Sequence, residues 1–411
     1  MTKTFYSLLA IIIAIGIFGW YLFTKNVGVI NVPKEAETDI KISGEAVQGI
    51  TVPAGFKLST FSTGITGARV MEMDPKGRIL VSQTSEGKII ALGNYNDDNF
   101  SDESEKKVLI EGLKKPHGMA FYCNPVANPP DCDLYVAEAD ALSKYKYNAE
   151  EPSLGVREKL LDIDYGITDR HFTRSLVFLP YPNGNILLVS VGSSCDVCSE
   201  GEKDNGKILS YNIDTKKTEV YATGLRNATF MTLDPIYGKV FATEMGRDGL
   251  GDDIPPDEIN IIEKTKDGKI KNYGWPICYG KNIHDNVFDP EGKNTCSSYE
   301  PSFVDLQAHS APLGLSFIPE EGWPEEYWYN LLVAYHGSWN RTEPTGYKIV
   351  RLKMNAKGEY LGTEDFITGW LVQGETDKEK LGRPADIKVF SGGVAYISDD
   401  SQGVIYRLAR E

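Results

Sequence analysis

The chain has 411 residues, 25% of them charged, and a formal net charge of −15. That length can bury a large core, and the excess of acid argues against nucleic acid or an anionic membrane surface as a partner, because both call for basic patches. Tyr, Phe, Gly and Pro are plentiful while long amphipathic helical stretches are scarce, a composition that predicts an all-β protein of short strands and turns.

The N-terminus stands apart. From Phe5 to Phe23 the chain is apolar and carries no charge until Lys25. Such a run is long enough to cross a bilayer as a helix, with Trp20 and Tyr21 placed for the far interface. No small-x-small cleavage site follows, so residues 1–25 are read as an uncleaved membrane anchor, with a cleaved signal peptide as the alternative. Both readings make the rest of the chain extracytoplasmic, periplasmic or on the outer face. Residues 26–52 lack a sustained pattern and read as a linker. The folded domain is expected over 53–411.

Within it a loose unit recurs: a polar or small residue, an apolar strand, a turn rich in Asp, Pro or Gly, a second strand, a Gly turn and a third strand. Copies begin at Ala68, Pro116, His171, Arg226, His309 and Arg383. Six units of about four strands each predict a six-bladed β-propeller. Phe56–Phe61 precedes the first unit and would supply the outer strand missing from the last, closing the ring. The six cysteines fall into three local pairs, Cys123 with Cys132, Cys195 with Cys198 and Cys278 with Cys296. Disulfides are the expected state of such pairs in an exported chain. A zinc reading of Cys195 and Cys198 lacks a second CxxC and a nearby His. Covalent haem attachment would need His where Ser199 stands.

The first strand of a propeller blade lines the central channel, so the residue opening each unit faces one mouth. Those openings carry Arg69, His117, His171, Arg226, His309 and Arg383, and the fifth unit adds His336, Trp339, Asn340, Arg341 and Lys348. Four of the five histidines lie in or beside these positions; only His284 does not. Hydrogen-bonded turn residues would be the bland explanation of any one of them. As a set, cationic groups around one mouth of an acidic protein ask for an anionic ligand. The Gly246–Asp253 loop, crowded with carboxylates and carbonyls, asks for a hard divalent cation such as calcium, unless it is a solvated acidic turn.

The strings GLRNATFMTLDPIYGKVFATEMGRDGLGDD, NYGWPICYG, HSAPLGLSF, HGSWNRTEPTGYKIVRL and HFTRSLVFLPYPNG, in their places between residues 53 and 410, resemble the glucose/sorbosone dehydrogenase family. They are most similar to its sorbosone and pyranose dehydrogenases that use pyrroloquinoline quinone (PQQ). The resemblance implies a six-bladed propeller and a tricarboxylate quinone bound through Ca2+. It implies His171 as the base that takes a hydroxyl proton, and Arg226 as the cation that stabilises charge on the reduced cofactor. Asn227, His309, His336, Trp339, Arg341, Lys348 and Arg383 would hold or stack on the cofactor. Gly246 and Arg247 would offer carbonyls to calcium, with Asp248 and Asp252, and less directly Asp253, as further ligands.

The pattern also departs from the family. The soluble glucose dehydrogenases place an Asp after the glycine that is Gly192 here, whereas this chain has Ser193 and Ser194. The orienting partner of His171 is left among Ser193, Asp169 and Asp140. The substrate is expected to be a sugar or related alcohol or aldehyde. With no haem motif or attached electron-transfer domain, electrons would leave to an external acceptor such as a cytochrome or quinone chain. Two other functions fit a propeller. A calcium-dependent lactonase or esterase would need acidic and amide side chains converging on the metal. A non-catalytic glycan- or protein-binding propeller would need no convergence of His171, Arg226 and Arg383.

Overall fold

The structure, a computed structural model, describes residues 31–36, 47–124, 126–127, 129–163, 171–201, 203–374 and 378–411. The expected anchor at 1–25 lies outside the described residues. Among those described, no helix is long and apolar enough to cross a membrane, and helical structure is limited to three single 3₁₀ turns.

The protein is all-β. Six sheets of four or five strands follow one another along the chain. Their first strands are Ala68–Met73, Met119–Asn124, Leu176–Phe178, Ala228–Leu233, Pro312–Phe317 and Pro384–Phe390. These six strands touch in a closed cycle, the last returning to the first. In the sixth sheet the outer place is taken by Phe56–Ser62, which pairs antiparallel with Val404–Arg410 from Phe56 opposite Arg410 onward. Phe56–Ser62 thus closes the ring, as the sequence suggests.

The strands form where β-branched and aromatic residues run between tight turns. Asp74 fixes one such turn, its Oδ1 accepting Lys76 N–H and Arg78 N–H, both at 2.9 Å. Asp234 does the same for Ile236 N–H at 2.9 Å. Second strands such as Ile186–Val191 are apolar on both faces, because each sheet is covered on both sides by its neighbours. The core is accordingly divided into six apolar clusters, one at each junction of neighbouring sheets.

Parts of the expected linker lie on this body. Lys34–Glu35 pairs in parallel with Lys378–Lys380, Thr51 bridges Thr368, and Val47, Ile50 and Val52 pack against the fifth-to-sixth junction. All three expected disulfides are formed, Cys123–Cys132, Cys195–Cys198 and Cys278–Cys296. The domain is held by covalent ties as well as by the ring.

Candidate active site

The site is built where the chain enters the first strands, at one end of the ring. His171 sits just before the third sheet with φ of 46°. Its Nδ1 lies 3.0 Å from the Ser193 carbonyl and 2.8 Å from Ser193 Oγ. The Ser193 hydroxyl donates to the Cys195 carbonyl at 2.6 Å, so toward the histidine both serine oxygens act as acceptors. Nδ1 therefore carries the proton and Nε2 carries the lone pair, the tautomer a base needs. Of the three candidates for orienting His171, Ser193 is the one in contact with Nδ1 among the described residues. Asp140 instead pairs with Lys114 at 3.0 Å, and Asp169 lies outside the described residues.

Gly192 allows this approach. A Cβ there would fall 2.7 Å from His171 Cβ, 2.8 Å from its carbonyl oxygen and 2.7 Å from Asn227 Oδ1.

Arg226 is 5% exposed. Its Nε donates to the Asp196 carbonyl at 2.9 Å, Nη2 to Asp196 Oδ1 at 2.7 Å, and Nη1 to the Met245 carbonyl at 3.1 Å. Asp248 Oδ2 lies 3.9 Å from Nη2. The guanidinium is locked in place at the cavity wall, with most of its donors spent on protein. Asn227, beside it, is a framework residue: its Oδ1 accepts from Thr173 Oγ1 at 2.6 Å, and its N–H donates to Glu244 at 2.8 Å.

The Gly246–Asp253 loop is folded against the fifth sheet. His309 Nε2 meets the Gly251 carbonyl at 2.9 Å. Asn340 Nδ2 donates to Asp248 Oδ1 at 2.8 Å and lies 3.3 Å from His309 Nδ1. Gly246 N–H donates to Asp257 Oδ1 at 2.9 Å, while Asp257 Oδ2 accepts Ala311 N–H at 3.0 Å and Ser310 Oγ at 3.2 Å. Burial pushes the Asp257 carboxyl up to about 6. Arg341 binds the Asp252 carbonyl and reaches Asp253 Oδ1 at 3.2 Å.

Several expected ligands are diverted from the cavity. The Asp252 carboxylate accepts Thr342 N–H at 3.1 Å. The Arg247 guanidinium donates to Asp285 at 2.9 Å, although the ligand expected of that residue is its backbone carbonyl. Lys348 opens a third strand, away from the ring axis, and pairs with Asp365 at 2.6 Å. Arg383 turns back to the His336 carbonyl at 3.0 Å and the Gly337 carbonyl. His336 donates Nε2–H to Asp400 at 2.8 Å, and burial keeps it neutral down to about pH 4. Although burial opposes the charge on Asp400, the His336 and Arg69 side chains hold its carboxyl well below the ordinary range. His117 is fully buried, its pKa lowered to about 3 by desolvation. Of the channel-mouth residues, His171, Arg226 and His309 wall one cavity and Arg69 an adjoining compartment, whereas His117, His336 and Arg383 are engaged by the framework.

What remains is a cavity of about 370 Å³ walled by His171, Phe172, Arg226, Met245, Gly246, Asp248, Asp257, His309, Ala311, Trp339 and Asn340. A second compartment of about 270 Å³ shares Phe172 and adds Arg69, Lys115 and Asp400. Asp257, Phe172 and Met245 do not open a unit of the repeat; Asp257 is caught by Gly246 and Ala311, 11 and 54 residues away, and Met245 by Asn227, 18 residues away. The two volumes would take a flat ligand of cofactor size, and their walls are mixed in charge, with Arg226, Arg69 and Lys115 set against Asp248, Asp257 and Asp400. Two buried polar atoms beside the cavities, Asn340 Oδ1 and Arg69 Nε, have no protein partner. Calcium has a narrower footing: of the loop's carboxylates only Asp248 reaches the wall, so a cation there would lean on it and on the Gly246 and Arg247 carbonyls. Among the described residues, the one trio of metal-binding side chains within 4.8 Å is Cys195, Cys198 and Glu200, and its sulfurs are joined as a disulfide.

Residues 50–411 match the family model described as TrAA12-like. An uncharacterized protein of Borreliella burgdorferi is 32% identical over 393 residues, covering 91% of this chain and 94% of that protein. The pyrroloquinoline quinone-dependent pyranose dehydrogenase of Coprinopsis cinerea is 23% identical over 419 residues, which is 88% of this chain and 54% of that enzyme. The chain thus spans about half the length of that curated relative. Among solved structures, the holo PQQ domain of the same pyranose dehydrogenase matches with a TM-score of 0.72 at 21% identity, over 89% of this chain and 98% of that one. The calcium structure of the Trichoderma reesei AA12 enzyme matches with a TM-score of 0.73 at 20% identity, over 91% and 100%. At these identities the likeness establishes a shared fold.

Proposed function

Because the chain belongs to the TrAA12-like family, we propose that it is a quinoprotein dehydrogenase on a six-bladed β-propeller, oxidising a sugar or related alcohol or aldehyde. The observation that carries this reading is an imidazole with a fixed tautomer facing an arginine across one cavity. PQQ, when bound, supplies a two-electron acceptor. The chain's own residues do the rest. His171 accepts the substrate hydroxyl proton at Nε2, and the two Ser193 oxygens on Nδ1–H stabilise the imidazolium that forms. Arg226, held by Asp196 and largely desolvated, would offer its remaining N–H donors to an anionic ligand. Trp339, 40% exposed at the rim, offers a stacking face. Ca2+ would be held by Gly246, Arg247 and Asp248.

The three disulfides and the apolar run before Lys25 support an extracytoplasmic domain tethered to a membrane, passing electrons to a separate acceptor. A lactonase is less supported because no three carboxylates come together at one point among the described residues.

The test is reconstitution of the purified full chain with PQQ, with and without calcium, followed by absorbance, calorimetry and a dye-linked screen of sugars and alcohols. Binding with sugar-dependent dye reduction is expected. Failure to bind the quinone under both conditions would sink the proposal.

A further inference from the structure

One short loop reaches both chemical groups of the site. Ser193, at its start, holds His171. Asp196, three residues on, stands between Arg226 and the Gly246–Asp253 loop. Its Oδ1 receives Arg226 Nη2 at 2.7 Å and Asp248 N–H at 3.0 Å, and its carbonyl receives Arg226 Nε at 2.9 Å. Cys195 and Cys198 flank it and are joined with a separation of three residues. Glu200 ties down the base of the loop, accepting Ser194 N–H at 2.5 Å and Ser194 Oγ at 2.8 Å.

An aspartate on an open loop would sample many positions relative to an arginine. A cross-link that spans it removes most of that freedom before any ligand arrives. We propose that Asp196, fixed by the Cys195–Cys198 disulfide, is the positioning residue that joins Arg226 and the Gly246–Asp253 loop into one rigid unit. What that unit serves rests on the dehydrogenase reading; the joining itself does not. Arg226 is thereby held at two of its nitrogens by a single residue. The proposal also assigns a task to a disulfide too short to restrain much of the chain.

The full chain, without added cofactor, is compared by amide hydrogen exchange as wild type, Asp196→Ala, Asp196→Asn and the Cys195→Ser/Cys198→Ser pair. In Asp196→Ala the acceptor of Asp248 N–H is gone, and exchange across 246–253 should rise about tenfold or more. Asp196→Asn keeps a side-chain oxygen and should recover part of the protection. The cysteine pair should move the same peptide in the same direction, with the Asp131–Glu138 strand unchanged in every variant as a folding control. PQQ titrated into the same proteins should bind about tenfold more weakly to Asp196→Ala, because Arg226 is no longer preset. If wild type binds no quinone but exchange still responds, the positioning role stands and the cofactor reading falls. Unchanged exchange in Asp196→Ala would overturn the role of Asp196 whatever the activity does. A response to Asp196→Ala without one to the cysteine pair would remove the disulfide from it.

Discussion

Gly192→Ala isolates the placement of His171 from its chemistry. The added methyl would sit 2.7 Å from His171 Cβ, 2.8 Å from the His171 carbonyl and 2.7 Å from Asn227 Oδ1. Carbon contacts relax near 3.5–4.0 Å, so the neighbours must part by roughly 1 Å. Two of the three are the Cβ and carbonyl of His171, and the third, Asn227 Oδ1, is a side-chain end that is itself pinned. The His171 carbonyl is held by Arg174 Nη1 at 2.8 Å, and Asn227 Oδ1 by Thr173 at 2.6 Å. The strain therefore falls on the backbone that carries the base. Overpacking of this kind costs about 1–3 kcal/mol of stability, and a displacement of about 1 Å at a reacting group can cost on the order of 100-fold in rate. The reconstituted variant should keep near-normal quinone affinity, melt a few degrees lower and lose about 100-fold in kcat in the dye-linked assay. Gly184→Ala is the control, since only the Leu179 carbonyl at 3.8 Å would lie near its methyl. A folded Gly192→Ala protein with wild-type kcat would refute the placement of the base.

Other perturbations give contrasting outcomes. Ser193→Ala leaves the backbone carbonyl on His171 Nδ1 but removes Oγ, so kcat should fall about tenfold or less with cofactor affinity unchanged; calorimetry beside steady-state kinetics separates the two. Lys348→Met should leave quinone affinity unaltered, because Lys348 is paired with Asp365, and it should cost less than about 1 kcal/mol in urea unfolding. Glu258 is buried with its carboxyl pushed up to about 7 by desolvation, above its unfolded range, so the folded state takes up the proton first. Stability then declines as pH rises from about 4.5 through 7. Glu258→Gln should relieve up to about 3 kcal/mol at pH 8 and almost nothing at pH 4, read from melts at the two pH values. Cys278→Ser with Cys296→Ser opens an 18-residue span and should cost about 2–4 kcal/mol in denaturant melts.

Much of the architecture was legible in the sequence because every sheet repeats the same local problem. Asp74 and Asp234 close the same kind of turn between first and second strands, and a turn of that type is written within five residues. The disulfides were legible because each joins cysteines close in sequence. The site was only half legible. His171, Arg226 and His309 follow from position in the repeat, yet Arg383 occupies an equivalent position and bends away to the carbonyls of His336 and Gly337. Position in a repeat fixes where a Cα lies; which carbonyls compete for its guanidinium is decided by a neighbouring sheet. Asp257, caught between Gly246 and Ala311, and Asp196, facing Arg226, depend on pairings across 11 to 54 residues that no local pattern records.

The closure of the ring also governs when the protein can exist. Ser59 Oγ contacts the Arg407 carbonyl across 348 residues of chain, and Phe56–Ser62 has no partner in its sheet until Val404–Arg410 has been made. A nascent chain can assemble its early sheets as they emerge, but Phe56–Ser62 must wait for Val404–Arg410. Contacts so distant in sequence are slow to form. Until then Phe56–Ser62 is an unpaired segment and the ring an open arc with an exposed edge, a form vulnerable to proteases and to pairing with its own copies until the seven-residue strand Val404–Arg410 is in place.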